Sequence, residues 1–132
     1  MKKLTLIFTL LFSTVMFSSP SYAEWTKLNV TGIGNTVYIN FERIRKVDGY
    51  VYYWDLSDYL KPIKYGILSA KVYRKVDCKL FQFKDLIFSF HKEPMGRGSQ
   101  ESDYDYSPKT SEWRYPSPNS SGESILKSVC SR

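Results

Sequence analysis

The stretch from Gly66 to Cys78, "GILSAKVYRKVDC", alternates with a period of two. Leu68, Ala70, Val72, Val76 and Cys78 fall on one side, with Arg74 as the charged exception. Ser69, Lys71, Tyr73, Lys75 and Asp77 fall on the other. Successive side chains leave a strand on opposite sides, so one apolar side marks a half-buried antiparallel strand. Cys78 is thereby aimed into the core. The stretch that ends in the second cysteine, "PNSSGESILKSVC" (residues 118–130), has the other periodicity. Ser120 and Glu123 have capping-box spacing, and Pro118 stands just ahead as a breaker. Ile125, Leu126, Val129 and Cys130 share one side of the helix this predicts.

The start of the chain says where those cysteines live. Lys2 and Lys3 precede an uncharged, largely apolar run, Leu4 to Ser19, and "SYA" follows with small residues at Ser21 and Ala23. This is the layout of a cleaved signal peptide over residues 1–23, too short in its apolar part for a bilayer span. The expected mature chain is a single domain, residues 24–132. It is exported, without a membrane span and, since no cysteine lies near the cut, without a lipid anchor. In an oxidising space two cysteines are expected to pair, and only Cys78 with Cys130 gives an intramolecular bond. The alternative is two free or intermolecular thiols. The bond would pin a short helix, marginal on its own in water, onto the inner face of a sheet.

Other segments supply the rest of that sheet. "EWTKLNV" and "TVYINF" read as two strands, and Asp48-Gly49 as a tight hairpin turn. "YVYYWDLSDY" is aromatic and strand-like, with Tyr52, Trp54 and Leu56 on one face and Val51, Tyr53 and Asp55 opposite. "LKPIKYG" is expected to break it. "KLFQFKDLIFSFHK" supplies one long or two short strands with a bulge or turn at Lys84-Asp85. Residues 93–112 are a polar loop, after which Trp113 and Tyr115 suggest a short edge strand. The fold class is α+β or mainly β: a single antiparallel sheet with one C-terminal helix.

Signatures of catalysis are few. His91 is the one histidine, near a strand end, and no G-x-S-x-G elbow is present. "GRG" at residues 96–98 lacks phosphate-loop spacing, and Asp103 and Asp105 lack the rest of a calcium loop. The chain reads as a non-enzyme with no cofactor or metal. The formal charge of +6, less Lys2 and Lys3, leaves +4 on the mature chain. Export makes nucleic acid the least fitting partner for that charge, and extracellular or envelope proteins the better one. The candidate binding residues are Lys71, Tyr73 and Lys75 on the outward side of the Cys78 strand, with Lys79 just beyond. Arg43, Arg45 and Lys46 cluster nearby. Basic groups among tyrosines suit an acidic partner, because rings give rigid contact and lysines steer.

The ordered set "VYINFERIRKVDGYVYYWDLSDY", "YGILSAKVYRKVDCKLFQF", "MGRG" and "ESILKSVC" resembles the surface-adhesin protein E family of exported bacterial domains. The resemblance implies a sheet whose concave face holds a C-terminal helix through Cys78–Cys130, and dimerisation through the sheets. It also implies non-enzymatic adhesion to host extracellular proteins, involving "AKVYRKVDCKLFQF". This chain departs from the lipid-anchored adhesin that names the family, so a periplasmic or secreted location stands beside surface display. The other reading is a periplasmic structural protein acting by self-association.

Overall fold

The computed structural model describes residues 24–31, 33–101 and 112–132. The expected leader, residues 1–23, and half of the polar loop, with Asp103 and Asp105, lie outside the described residues. Six strands form one sheet: β1 (Thr26–Val30), β2 (Thr36–Ile39), β3 (Arg45–Val47), β4 (Tyr50–Ile63), β5 (Ile67–Asp77) and β6 (Gln82–His91). Every pairing is antiparallel. The order is β1-β2-β4-β5-β6, and β3 also pairs with β4, beside Tyr50–Tyr52, while β2 takes Asp55–Asp58. One helix follows, α1 (Ser121–Cys130).

The alternation of residues 66–78 is realised in β5, where Ala70, Val72 and Val76 are buried. Arg74 also lies on this inner side, opposite Tyr53 of β4. Ile125, Leu126 and Val129 of α1 pack there against Val37, Ile39, Val51, Tyr53 and Val76. Cys78 and Cys130 border the same cluster, their Cα atoms 5.7 Å apart, and the disulfide joins helix to sheet. Ser120 caps α1 by accepting from the Glu123 N–H at 3.2 Å. The Glu123 carboxylate turns instead to Lys127, 3.2 Å away, so the cap is one-sided.

Several expectations shift. β4 runs through Pro62 to Ile63, and the break is the three-residue turn Lys64–Gly66. Proline is tolerated because Tyr59–Pro62 fall in a register shift, where the ladder to β5 is interrupted and no N–H is required. β6 is one strand, and Leu86 is its extra residue, since Asp85 faces Arg74 and Ile87 faces Tyr73. The expected edge strand at Trp113 and Tyr115 shrinks to a single bridge, Arg114 to Phe83. Asp48-Gly49 forms the expected turn between β3 and β4, both at positive φ.

Candidate functional site

The sheet face turned away from α1 carries the candidate residues. Register sets them in rows across strands. Arg45, Tyr52, Lys75 and Lys84 stand side by side on β3, β4, β5 and β6. Trp54, Tyr73 and Ile87 form the next row, and Leu56, Lys71 and Ser89 the third. Tyr73 lies 5.0 Å from Trp54 and 6.1 Å from Tyr52, centroid to centroid. Trp113, delivered by the bridge at Arg114, stacks on Tyr50 at 5.8 Å. The result is five rings on one face in two contacting groups, Tyr50 with Trp113 and Tyr73 with Tyr52 and Trp54.

Lysines thread that surface. The Lys75 Nζ sits 4.1 Å from the Tyr50 centroid and 5.6 Å from that of Tyr52. Lys84 lies 4.8 Å above the Trp113 ring, and Lys75 reaches it at 5.9 Å. Like charges directly opposite on neighbouring strands repel, which makes Lys75 facing Lys84 an unfavourable pair. The shared indole offsets part of that repulsion through its negative ring face. Among the described residues neither lysine forms an ion pair. Two concavities, of about 470 and 260 Å³, open on this face and share Arg43 and Trp54.

Lys79 stands apart. It lies in the β5–β6 turn, its N–H donating to Asp77 Oδ1 at 3.0 Å, at the end of the sheet rather than on the face. The Arg43, Arg45 and Lys46 cluster is split. Arg43 and Arg45 border the outer concavity, while Lys46 is on the inner side and donates to the carbonyl of Arg132 beyond α1. Sequence reasoning did not count Tyr50, Lys84 or Trp113 among the binding candidates. The alternation of β4 held a signal for Tyr50. For Trp113 there was none, because a single bridge leaves no period.

The far half of the outer face is covered. Residues 92–101 fold over it, with the Met95 N–H donating to Asp58 at 2.8 Å and the Ser69 hydroxyl donating to the Glu93 carbonyl at 2.5 Å. The Gly96 N–H donates to Ser69 Oγ at 2.8 Å. This covers Ser69 and Leu56 completely, although both belong to the outward rows. A Cβ on Gly96 would meet Lys71 Cδ at 3.0 Å and Leu56 Cδ1 at 3.3 Å, and its φ is +66°. Glycine is the residue that fits there with least strain. His91 holds the loop: its Nδ1 lies 3.2 Å from the Gly98 carbonyl and its Nε2 2.5 Å from Ser89 Oγ. A carbonyl only accepts, so Nδ1 carries the proton and Nε2 accepts from the serine hydroxyl. Burial, then the Lys71 charge, push the His91 pKa down.

On the inner side Arg74 is held by two carboxylates, Asp55 at 2.6 Å and Asp85 at 2.7 Å. Arg114 pairs with the second oxygen of Asp85. Burial pushes the Asp55 carboxyl up, and the Arg74 charge offsets that only in part. Burial opposes the Arg74 charge, but Asp55, Tyr53 and Asp85 outweigh it and keep the guanidinium charged. The Tyr53 hydroxyl is buried beside Arg74 and Asp55, and burial drives its pKa up. A cleft of about 350 Å³ lined by this network opens near the start of α1.

A single antiparallel sheet backed by one disulfide-held helix, with rings and lysines on the face turned from the helix, defines a small α+β domain. The sequence profile of the surface-adhesin protein E family matches residues 25–131, and the chain belongs to that family. Comparison with curated proteins finds no match. Among solved structures, the fold is similar to that of Haemophilus influenzae protein E, with a TM-score of 0.63 and 15% identity over 85% of this chain and 87% of that one. Its second crystal form gives 0.60, with 15% identity over 85% and 91%. Protein E from non-typeable Haemophilus influenzae gives 0.55, with 16% identity over 86% and 79%. At such identity the likeness is one of fold.

Proposed function

We propose that this chain is a non-enzymatic exported binding protein whose outer face engages an extracellular or envelope protein. Lys71, Tyr73 and Lys75 form the centre of contact, joined by Tyr50, Tyr52, Trp54, Lys84 and Trp113. The observation that carries the reading is Lys75, unpaired with any carboxylate among the described residues and held over the rings of Tyr50 and Tyr52. Rings already fixed by packing lose little freedom on contact, and the lysines steer an acidic partner. Host matrix proteins are the partners that family membership suggests. The test is binding of the exported protein to immobilised matrix proteins, before and after Lys71→Glu with Lys75→Glu. Undiminished binding by the folded double variant removes the face from consideration.

A second reading, envelope self-association without host contact, rests on β6. Its outer edge is capped by Arg114 at Phe83 and by Glu101 at Phe90, and between these Leu86 and Ile87 are exposed. Open strand edges pair with other chains. Protease treatment of intact cells separates the readings. Cleavage supports an outward partner, whereas protection confines the cell-bound form to the periplasm.

A further inference from the structure

The end of the sheet opposite the disulfide differs from both faces. There the β1–β2 turn meets the β4–β5 hairpin: the Leu60 N–H donates to Asn35 Oδ1 at 3.0 Å. Gly34, at φ +88°, lets the turn approach, since a Cβ there would stand 3.0 Å from Leu60 Cδ2. Yet this close packing buries none of the large side chains around it. Ile33 is 77% exposed, Leu60 66% and Tyr65 63%, with Ile63 beside them. Ile33, Leu60 and Ile63 border one concavity with Lys61 and Pro62.

Two further features mark this end. Tyr65 sits at φ +64°, a region where bulky residues are uncommon and where glycine or asparagine costs less. The ring it projects carries the Lys64 ammonium 5.1 Å from its centroid. The charge is also one-sided: Lys61 and Lys64 lie within Tyr59–Leu68, and neither that stretch nor Val30–Thr36 contains a carboxylate. Asp58, the nearest in sequence, is engaged with the Met95 N–H.

We propose that this end, built of Ile33, Leu60, Ile63 and Tyr65 with Lys61 and Lys64, docks on an anionic lipid surface. Apolar side chains that protrude from two turns need no complementary pocket in a fluid acyl layer. A protein partner would have to supply one. Tyrosine suits the interface, with its ring among the acyl chains and its hydroxyl in the headgroups. The two lysines add attraction to anionic headgroups while their stems lie along the apolar surface. The site is separate from the ring-and-lysine face, so the two readings stand or fall independently.

The test is co-sedimentation of the exported protein with vesicles of equal parts phosphatidylcholine and phosphatidylglycerol, and with phosphatidylcholine alone. Binding to the mixed vesicles should fall about a hundredfold in Ile33→Ser with Leu60→Ser. Lys61→Gln with Lys64→Gln should cost about fivefold per lysine on mixed vesicles and little on neutral ones. Both pairs replace exposed side chains, and circular dichroism confirms that each variant is folded. Failure of the native protein to bind mixed vesicles overturns the proposal, as does undiminished binding by the Ile33→Ser, Leu60→Ser variant. A concentration-dependent dimer abolished by Leu60→Ser, without vesicle binding, assigns the patch to a second copy and also overturns it.

Discussion

Trp113 and Arg114, neighbours in sequence, serve opposite faces of the sheet. Trp113 stacks on Tyr50 of the outer face, while Arg114 pairs with Asp85 beside the half-buried Arg74. The bridge to Phe83 places them astride the β6 edge. The inner ionic network therefore helps to position the outermost ring of the outer face. Arg114→Gln should loosen that ring with a small loss of stability, about 1 kcal/mol, because Arg114 is partly exposed. The protein has three tryptophans, so the fluorescence change is read against a Trp113→Phe control, in which it should vanish.

Asp85 is the hinge of the network, since both its oxygens are engaged by arginines. Removing one partner of a buried ion pair leaves an uncompensated charge. Asp85→Ala should lower stability by about 3 kcal/mol, and urea unfolding measures it. A loss under about 1 kcal/mol would show that Arg74 is satisfied by Asp55 alone.

The disulfide spans 52 residues of sequence and is the covalent hold on a ten-residue helix. On the chain-entropy account, its loss through Cys78→Ser with Cys130→Ser costs about 4 kcal/mol. The helix alone is too short to persist once undocked. Amide exchange should therefore accelerate first in Ser121–Cys130, ahead of the β4 and β5 amides.

Lys71→Glu with Lys75→Glu should weaken partner binding at least about tenfold and flatten its salt dependence, since exposed charges act within a screening length of about 8–10 Å. Lys79→Glu should matter less, because the turn sets that residue off the face. Titrating salt against all three proteins by surface plasmon resonance checks the ranking.

His91 gives the domain an acid-sensitive latch. Its pKa in the folded protein lies below the ordinary 6.5, so the unfolded chain binds the proton more readily. The stabilisation is complete above the ordinary value and is lost as the pH falls through the folded value. The groups around the ring act in both directions: Lys71 lowers its pKa, while Glu101 and the Gly98 and Ser99 carbonyls raise it. Acidification from about pH 7.5 to about pH 5 should lower the protection factors of the amides in residues 92–101, once the slower intrinsic exchange at acid pH is divided out. His91→Gln, which keeps a donor and an acceptor, should remove that dependence.

Much of this was legible in local pattern. The period of two in residues 66–78 marked β5 and placed Arg74 on its inner side. Ser120 with Glu123 marked where α1 begins, and Asp48-Gly49 marked a hairpin. Each is legible because period, cap and turn chemistry act between residues a few positions apart. The leader-like pattern of residues 1–23 suggested an oxidising compartment, from which the pairing of Cys78 with Cys130 was expected.

Only the tertiary structure decided what those elements met. Arg74 looked like an exception until the register brought Asp55 and Asp85 to it, from 19 and 11 residues away. Ser69 read as an outward residue, yet a loop 27 residues further on covers it. Trp113 reached the open face through one backbone bridge, and Ile33 met Leu60 across two turns. Such contacts join residues distant in sequence through strand register and loop closure, and neither leaves a periodic trace in the chain. The sequence by itself therefore determined the elements, the staple and the outward basic side of β5. The inner ionic network, the full set of rings on the outer face and the apolar tip were decided by how the strands came to lie together.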